Sequence, residues 1–318
     1  NAPQFGIEPI VINLSGQGKL REHFASEGIP VINIGSSYRA NTTYRIDTAV
    51  KLAFALRRVN PDIIHTAHFA ANYFGRFANI FLKKPLITHL RNIKREKKLS
   101  RRMADKILSY ATTCYIAVSK DVAHCIDLDH NTANRPVHIM YNMIDPGKFD
   151  FTRYRRKDLF PEQGTIIVGV GRQVVQKNFH LLLQALASIV PHSPQTYVAL
   201  IGDGPEQKNL KQLAQQLQLE KNIFFMGFRD DVRSILPHTD LLVMPSAYEG
   251  FGIAALEAMF CGVPCIVSEN TPIKEIAPDS CLITQTTPEH IRDNILTLLE
   301  DSNVYRAYSA QSRQVALE

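Results

Sequence analysis

The sequence predicts an α/β protein with two domains, each built on a parallel sheet. Short apolar runs alternate with helical stretches along the chain, and this alternation is typical of parallel sheets. The length of 318 residues suits two domains of ordinary size. A polar and basic stretch without apolar periodicity covers residues 150–163. We therefore place a boundary near residue 150, with one domain over residues 1–150 and the other over residues 151–318.

The elements of the first half follow from apolar runs and from residues that end helices. The apolar runs predict strands over residues 9–14, 30–34, 62–66, 85–88, 113–118 and 136–141. Helices are predicted between them, over residues 18–27, 49–59 and 71–82, within the basic region after residue 88, and from Ser119 onward. Asn60 and Pro61 end the second of these helices, because proline cannot continue a helix.

The second half repeats the alternation with longer apolar runs. Strands are predicted over residues 165–170, 197–202, 223–226, 241–244 and 263–268. Helices are predicted over residues 179–190, 207–217, 253–261 and 288–300, and residues 303–318 begin a further helix. Gly262 stands where a left-handed helix cap belongs, and Pro264 follows where a helix cannot continue.

The composition excludes several classes of protein. A hydrophobic content of 45% is enough for packed cores, and no apolar run approaches the ~20 residues that span a bilayer. The five cysteines form no Cys-x-x-Cys pair and are odd in number. This pattern favours free thiols in a reducing compartment over a disulfide framework or a zinc site.

The net charge of +6 is concentrated in one segment. Residues 91–106 hold eight lysines and arginines against two acidic residues. A single local patch without base-stacking aromatic residues disfavours nucleic acid as a partner. The patch could contact an anionic membrane surface or a phosphorylated acceptor. Alternatively it is a solvated helix face, with Leu99, Met103 and Ile107 recurring at a spacing of four on the inner side.

A glycine-rich loop followed by a helix, within residues 245–269, carries the strongest chemical signal. The first backbone N–H groups of a helix lack internal partners and carry the positive end of its dipole. Here they fall in Gly250-Phe251-Gly252-Ile253, where two glycines let the backbone approach a ligand. Such a loop suits a diphosphate or sugar oxygens. Glu249 and Glu257 could accept hydrogen bonds from hydroxyl groups, or they could be a helix cap and a solvated helix residue.

The wider pattern resembles a known family. Glu-Gly-Phe-Gly at 249–252, Glu-Ala-Met at 257–259 and Gly-Val-Pro at 262–264 resemble the retaining nucleotide-sugar glycosyltransferases of family 4, which have the GT-B fold. The resemblance implies two Rossmann-like domains with parallel sheets that face a cleft. It also implies that Glu249 lies by the donor sugar, that the amides of Gly250, Phe251, Gly252 and Ile253 hold the diphosphate and sugar, and that Glu257 binds the ribose hydroxyls.

Two cations follow the first strand of the second half. Arg172 comes directly after Gly171, and Lys177 follows five residues later, at a strand-to-helix turn where α/β sheets bind ligands. Arginine offers a planar fork to phosphate oxygens and lysine a mobile point charge. The resemblance assigns both to the donor diphosphate, and the alternative for Arg172 is an ion pair with a local acid. A dinucleotide fingerprint is weakly supported here, because position 174 is valine rather than glycine.

The remaining site residues come from the resemblance. The turn at Gly227 and Phe228 would lie by the base, although Phe228 could equally be an ordinary packing residue. The family often has a histidine after the strand that matches residues 85–88, and Arg91 stands at that position. His89 could take that role, and His65 and His68 follow the preceding strand. Each histidine could instead be structural.

The resemblance implies a retaining hexosyltransferase that moves a sugar from a nucleotide-diphosphate sugar to a hydroxyl on a glycan or lipid-linked acceptor. The implied location is cytoplasmic, with possible peripheral contact to an anionic membrane through residues 91–106, and the implied products are lipopolysaccharide, capsule or other glycans. We predict no metal or other cofactor. We also expect that the first strand and helix of the N-terminal domain are missing from the chain. Two alternatives remain: a GT-B sugar-nucleotide epimerase and a non-catalytic sugar-nucleotide-binding protein.

Overall fold

The structure is a computed structural model that describes residues 5–14, 20–35, 46–93, 99–128 and 132–318. The chain divides into two compact units. Unit 1 comprises Asn1–Val118 and Val122–Met140, and unit 2 comprises Ser119–Asp121 and Tyr141–Glu318. The domain boundary near residue 150 and the missing first strand and helix stay predictions.

The first half of the chain alternates strands and helices as the sequence predicts. Its elements are β1 (Val11–Asn13), α1 (Leu20–Ser26), β2 (Val31–Asn33), α2 (Ile46–Val59), β3 (Ile64–Ala67), α3 (Phe69–Leu82), β4 (Leu86–Leu90), α4 (Leu99–Ser109), β5 (Cys114–Ala117), α5 (Lys120–Leu128) and β6 (Val137–Ile139). All strand pairs are parallel, in one sheet of order β1-β2 and another of order β3-β4-β5-β6. A core that includes Leu52, Leu56, Phe74 and Leu86 fixes α2 and α3 against these strands.

Helix α4 shows that one prediction about the basic segment was wrong. Met103 and Ile107 are 59% and 64% exposed instead of facing the core. The opposite face is buried, because Leu108 and Ser109 are enclosed and Asp105 pairs with the buried Arg76 of α3. A spacing of four identifies one face of a helix, but it does not say which face meets the core. Residues 94–98 of this segment lie outside the described residues, as does the side chain of Leu99.

Unit 2 is built on one six-stranded parallel sheet. Its elements are α6 (Arg156–Leu159), β7 (Thr165–Val170), α7 (Phe179–Ile189), β8 (Thr196–Ile201), α8 (Gln207–Gln216), β9 (Ile223–Gly227), α9 (Val232–Ile235), β10 (Leu241–Met244), α10 (Ile253–Phe260), β11 (Cys265–Ser268), β12 (Cys281–Thr284), α11 (Pro288–Glu300) and α12 (Ser302–Leu317). The strand order is β12-β11-β10-β7-β8-β9.

The apolar runs of unit 2 are central strands covered on both faces. Ile166, Ile167 and Val168 of β7 are fully buried, as are Leu182 and Leu186 of α7, which pack over the sheet. Helix α10 ends as predicted. Gly262 has a φ of +74°, and the amide of Val263 donates to the carbonyl of Ala258, which closes the last turn.

Candidate functional site

The strand order of unit 2 creates a place where a ligand can bind. β7 lies between β8 and β10, so the chain continues to one side of β7 through β8 and β9 and to its other side through β10, β11 and β12. The loops that leave the carboxyl ends of β7 and β10 therefore run in opposite directions. In open α/β sheets the crevice at such a switch point is the preferred ligand site. Arg172, Lys177 and Glu249 all follow these two strands.

The two loops are fixed to each other by hydrogen bonds. The side-chain amide of Gln176 donates to the carbonyl of Tyr248 at 2.7 Å, and the amide of Ala247 donates to the carbonyl of Gln176 at 2.8 Å. The side-chain amide of Asn178 donates to the carbonyl of Pro245 at 3.1 Å. Neither loop is held only by its own strand, so the side chains that they carry have defined positions.

Lys177 and Glu249 meet across the switch point. The Nζ of Lys177 donates to Oε1 of Glu249, and both side chains are largely buried. The hydroxyl of Ser246 donates to the same oxygen at 2.6 Å. Glu249 therefore does not cap α10, whose first residues are preceded by Gly252 without a side-chain cap. The structure brings together two residues that the sequence placed separately.

Buried hydroxyl groups that sequence reasoning missed support Glu249. Ser246, Ser268 and Thr271 are all fully buried. The hydroxyl of Ser268 donates to the carbonyl of Ser246 at 2.7 Å and lies 3.0 Å from that of Thr271. Small hydroxyl residues at strand ends are too common for the sequence alone to single these three out.

The amino end of α10 is open to a ligand. Within the described part of the chain, the backbone amides of residues 250–254 donate to no group. Gly252 has a φ of +110°, and a Cβ there would lie 2.9 Å from Cγ2 of Thr271, so glycine is required. Phe251 offers only its backbone, because its buried side chain packs 5.8 Å from the ring of Tyr141.

Arg172 extends from the adjoining turn toward solvent. It is exposed, and it forms no ion pair with any residue that the structure describes, so the expected alternative of a local acid is not found. The turn itself is held by close backbone contacts. The amide of Gln173 donates to the carbonyl of Asp203 at 2.7 Å, and a Cβ on Gly202 would lie 2.1 Å from the carbonyl oxygen of Gly171.

The third loop at this edge follows β9. The amide of Gly202 donates to the carbonyl of Gly227 at 2.7 Å, which joins the ends of β8 and β9. Phe228 is 59% exposed. It lies at the same carboxyl edge as Arg172, and its place beside the base stays a prediction.

Glu257 lies in the second turn of α10 and is paired. Nε and a terminal nitrogen of Arg233 both lie 2.8 Å from its Oε1. The carboxylate is not the solvated helix residue that the sequence left open, because Glu257 is only 9% exposed. Sequence reasoning missed Arg233, which is carried by the four-residue helix α9.

In unit 1 the structure places two of the predicted histidines in contact. Nε2 of His65 lies 3.3 Å from Nδ1 of His89, and the rings stack with centroids 5.3 Å apart. Partial burial is the main cause that lowers the pKa of His89 to about 4, and a proton on its ring would also be repelled by Arg91 and by protonated His65 or His68. Burial and Arg91 also lower the pKa of His65. Both rings are therefore neutral near pH 7 and offer hydrogen bonds, not charge.

His68 stands at the start of α3 with a φ of +71°, a strained conformation for a residue with a Cβ. Together with His65, His89 and Arg91 it marks the carboxyl edge of β3 and β4 as the polar edge of unit 1. Which of these side chains contacts a substrate stays a prediction.

The described residues offer neither a metal centre nor a membrane-spanning helix. No three His, Cys, Asp or Glu side chains there could hold a metal ion, and no helix there could cross a membrane. One Asp-x-Asp triplet is present in the sequence, at residues 127–129, and its aspartate side chains lie outside the described part. Metal independence stays a prediction.

Comparison with known proteins identifies the family. Residues 150–315 match the model of the glycosyl transferases group 1 family. The chain belongs to this family. Residues 2–148 match the model of Glycosyltransferase Family 4, so the family resemblance predicted from the 245–269 motif is confirmed.

Two named relatives match parts of the chain. The chain is 31% identical over 193 residues to N-acetyl-alpha-D-glucosaminyl L-malate synthase of Bacillus anthracis, a match that covers 58% of this chain and 50% of that protein. It is 28% identical over 271 residues to the lipopolysaccharide core biosynthesis glycosyltransferase LpsE of Rhizobium meliloti. This match covers 82% of this chain and 70% of that protein. The chain thus spans about half the length of the first relative.

Solved structures share the fold of this group 1 protein. HepE from Anabaena, bound to UDP and glucose, superposes with a TM-score of 0.84 at 20% identity and covers 98% of this chain and 94% of its own. WaaG, a glycosyltransferase of lipopolysaccharide biosynthesis, has a TM-score of 0.78 at 18% identity, and the match covers 99% of this chain and 88% of WaaG. The predicted GT-B class is confirmed.

Proposed function

We propose that the protein is a retaining glycosyltransferase that transfers a sugar from a nucleotide-diphosphate donor to a hydroxyl group of a glycan or lipid-linked acceptor. The observation that carries the proposal is the Lys177–Glu249 ion pair at the switch point of unit 2, beside the open amides of α10. Positive charge and unpaired N–H groups converge where a diphosphate would sit, and a carboxylate stands where hydroxyl groups of the sugar would sit.

The chemistry that this arrangement supports is the departure of a nucleoside diphosphate. Arg172, Lys177 and the dipole of α10 stabilise the negative charge that develops on the diphosphate as its bond to the sugar breaks. The diphosphate oxygen takes the proton of the attacking hydroxyl, so no protein base is needed in this scheme. Glu249 holds Lys177 in place and accepts hydrogen bonds from the sugar. The site as drawn uses no metal and no other cofactor.

Acceptor-dependent release of nucleoside diphosphate tests the proposal. UDP- and GDP-sugars are incubated in the presence of a chelator, with and without a lipid and oligosaccharide extract of the source cells. We expect release that depends on the extract, survives the chelator and gives a product with the anomeric configuration of the donor. An altered sugar formed without extract would favour the epimerase alternative, and binding without turnover would favour the non-catalytic one.

The exposed side of α4 supports the predicted contact with an anionic membrane. Met103 and Ile107 of α4 are exposed on one face, Lys106 lies beside them, and the exposed Tyr110 directly follows the helix. An apolar stripe flanked by cations is the pattern of a helix that lies in a lipid interface. The cytoplasmic, membrane-peripheral location belongs to the same proposal.

Replacing Ile107 by glutamate should lower binding to phosphatidylglycerol vesicles by about tenfold or more, because an apolar contact is lost and a like charge meets the surface. Co-sedimentation measures this loss. Met143→Glu, at an apolar position of unit 2 that is 85% exposed against 64% for Ile107, is the control and should bind as the unchanged protein does. Equal binding by the Ile107 variant would remove α4 from the membrane contact.

A further inference from the structure

Glu257 has a partner that restricts what its carboxylate can do. The residue is almost fully buried, and a buried carboxylate needs a counter-charge. Arg233 supplies it through two nitrogens, and both of them bind the same oxygen, Oε1. The pair joins α9 to α10, although the two residues are separated by 24 positions in sequence.

The guanidinium is itself held on a second side. It lies over the ring of Phe149, with 5.7 Å between its central carbon and the ring centroid. Phe149 packs against Phe260, with centroids 4.4 Å apart, and Phe260 belongs to α10 like Glu257. The arginine therefore has one defined position relative to the helix that carries the carboxylate, and the carboxylate has one defined orientation.

The other carboxylate oxygen is left for a ligand. Oε2 of Glu257 has no hydrogen-bond partner among the described residues, and it is not sealed from solvent. A carboxylate oxygen has two acceptor positions, so Oε2 can receive the O–H groups of two neighbouring hydroxyls. Glu257 lies one helical turn from the open amides of α10, where the diphosphate is placed by the proposed function.

We propose that Arg233 is a positioning residue that sets nucleotide specificity: it holds Oε1 of Glu257 so that Oε2 faces the vicinal hydroxyls of the donor's ribose. The inference rests on the proposed function. Its consequence is selectivity, because a site built to bind hydroxyl groups rejects an analogue that lacks them. Lysine cannot replace the arginine fully, since its single nitrogen cannot make both contacts or cover the ring of Phe149.

Calorimetry with the full chain tests this role. The ligands are UDP, GDP and ADP and their 2′,3′-dideoxy forms, and the proteins are wild type, Arg233→Ala, Arg233→Lys, Glu257→Gln and Arg292→Ala. Arg292 is the matched control, because its side chain is 36% exposed against 35% for Arg233 and it also pairs with an acid. Thermal melting of each variant shows that it is folded, and Arg233→Lys serves if the alanine variant does not fold.

For wild type and Arg292→Ala we expect the ribose form of the preferred nucleotide to bind about tenfold or more tighter than its dideoxy form. In Arg233→Ala and Glu257→Gln the ratio should fall to about threefold or less, through weaker binding of the ribose form alone. The ratio for Arg233→Lys should lie between that of wild type and that of Arg233→Ala.

A wild-type ratio retained by Arg233→Ala would overturn the role of Arg233 and leave the proposed function standing. Equal binding of both forms by wild type would likewise overturn it. If wild type binds none of the nucleotides, the proposed function itself fails.

Discussion

Replacing Lys177 by methionine should lower the rate of sugar transfer by about 10²- to 10³-fold, the cost of losing one group that stabilises developing charge. Lys177 is placed by the loop after β7 and by its contact with Glu249 in the loop after β10. The effect should fall mainly on kcat, because charge on the leaving diphosphate grows as the bond breaks. Steady-state kinetics measures it.

Two further variants separate the role of the lysine from that of its partner. Lys208→Met removes an exposed lysine from α8 and should leave the rate unchanged. The double variant Lys177→Met with Glu249→Gln has no unpaired buried carboxylate, yet it still lacks the cation. We expect it to remain as slow as the single variant. A return to the wild-type rate would show that Lys177 only neutralises Glu249.

Gly202→Ala should destabilise the protein by about 2–5 kcal/mol. The cost has two parts, the strain of a left-handed backbone on alanine and the overlap of the new Cβ with a neighbouring backbone atom. Gly202 has a φ of +128°, and the added Cβ would lie 2.1 Å from the carbonyl oxygen of Gly171. The turns after β7 and β8 would have to separate, which displaces Arg172. Nucleotide binding should therefore fall together with the midpoint of chemical denaturation.

Gly262→Ala is the control for this prediction. Its φ is +74°, but the nearest atom to an added Cβ, Oγ of Ser309, is 3.5 Å away. The control carries the backbone strain, but its added Cβ overlaps no atom. It should therefore lower the free energy of unfolding by about 1–3 kcal/mol and leave nucleotide binding intact. Equal losses of stability and binding in both variants would show that the close approach of the two turns is unimportant.

Regular elements and backbone motifs could be predicted from the sequence because local rules determine them. β7, β10 and α11 have the bounds that their apolar runs and caps predict, and Gly262 closes α10 as its position implies. The elements that were not predicted are short. Strand β12 and helix α9 have four residues each, too few for a periodic pattern to stand out.

Pairings between distant residues could not be predicted, because they depend on how the elements pack. The sequence identified Lys177 and Glu249 through separate motifs, and only the order of β7 and β10 in the sheet brings them together. No sequence motif pointed to Arg233. The inner face of α4 was predicted wrongly for the same reason: Met103 and Ile107 are exposed, and Asp105 on another side of the helix pairs with the buried Arg76.

The most direct test of the central claim is calorimetric titration of UDP, GDP and ADP into the protein in the presence of a chelator. We expect one of the three to bind, and we expect Arg172→Ala to abolish that binding, because Arg172 is the exposed cation at the switch point. Arg155→Ala, an exposed arginine paired with Asp158, should bind as wild type does. If no nucleotide binds, or if Arg172→Ala binds as tightly as wild type, the donor site is not where we propose it.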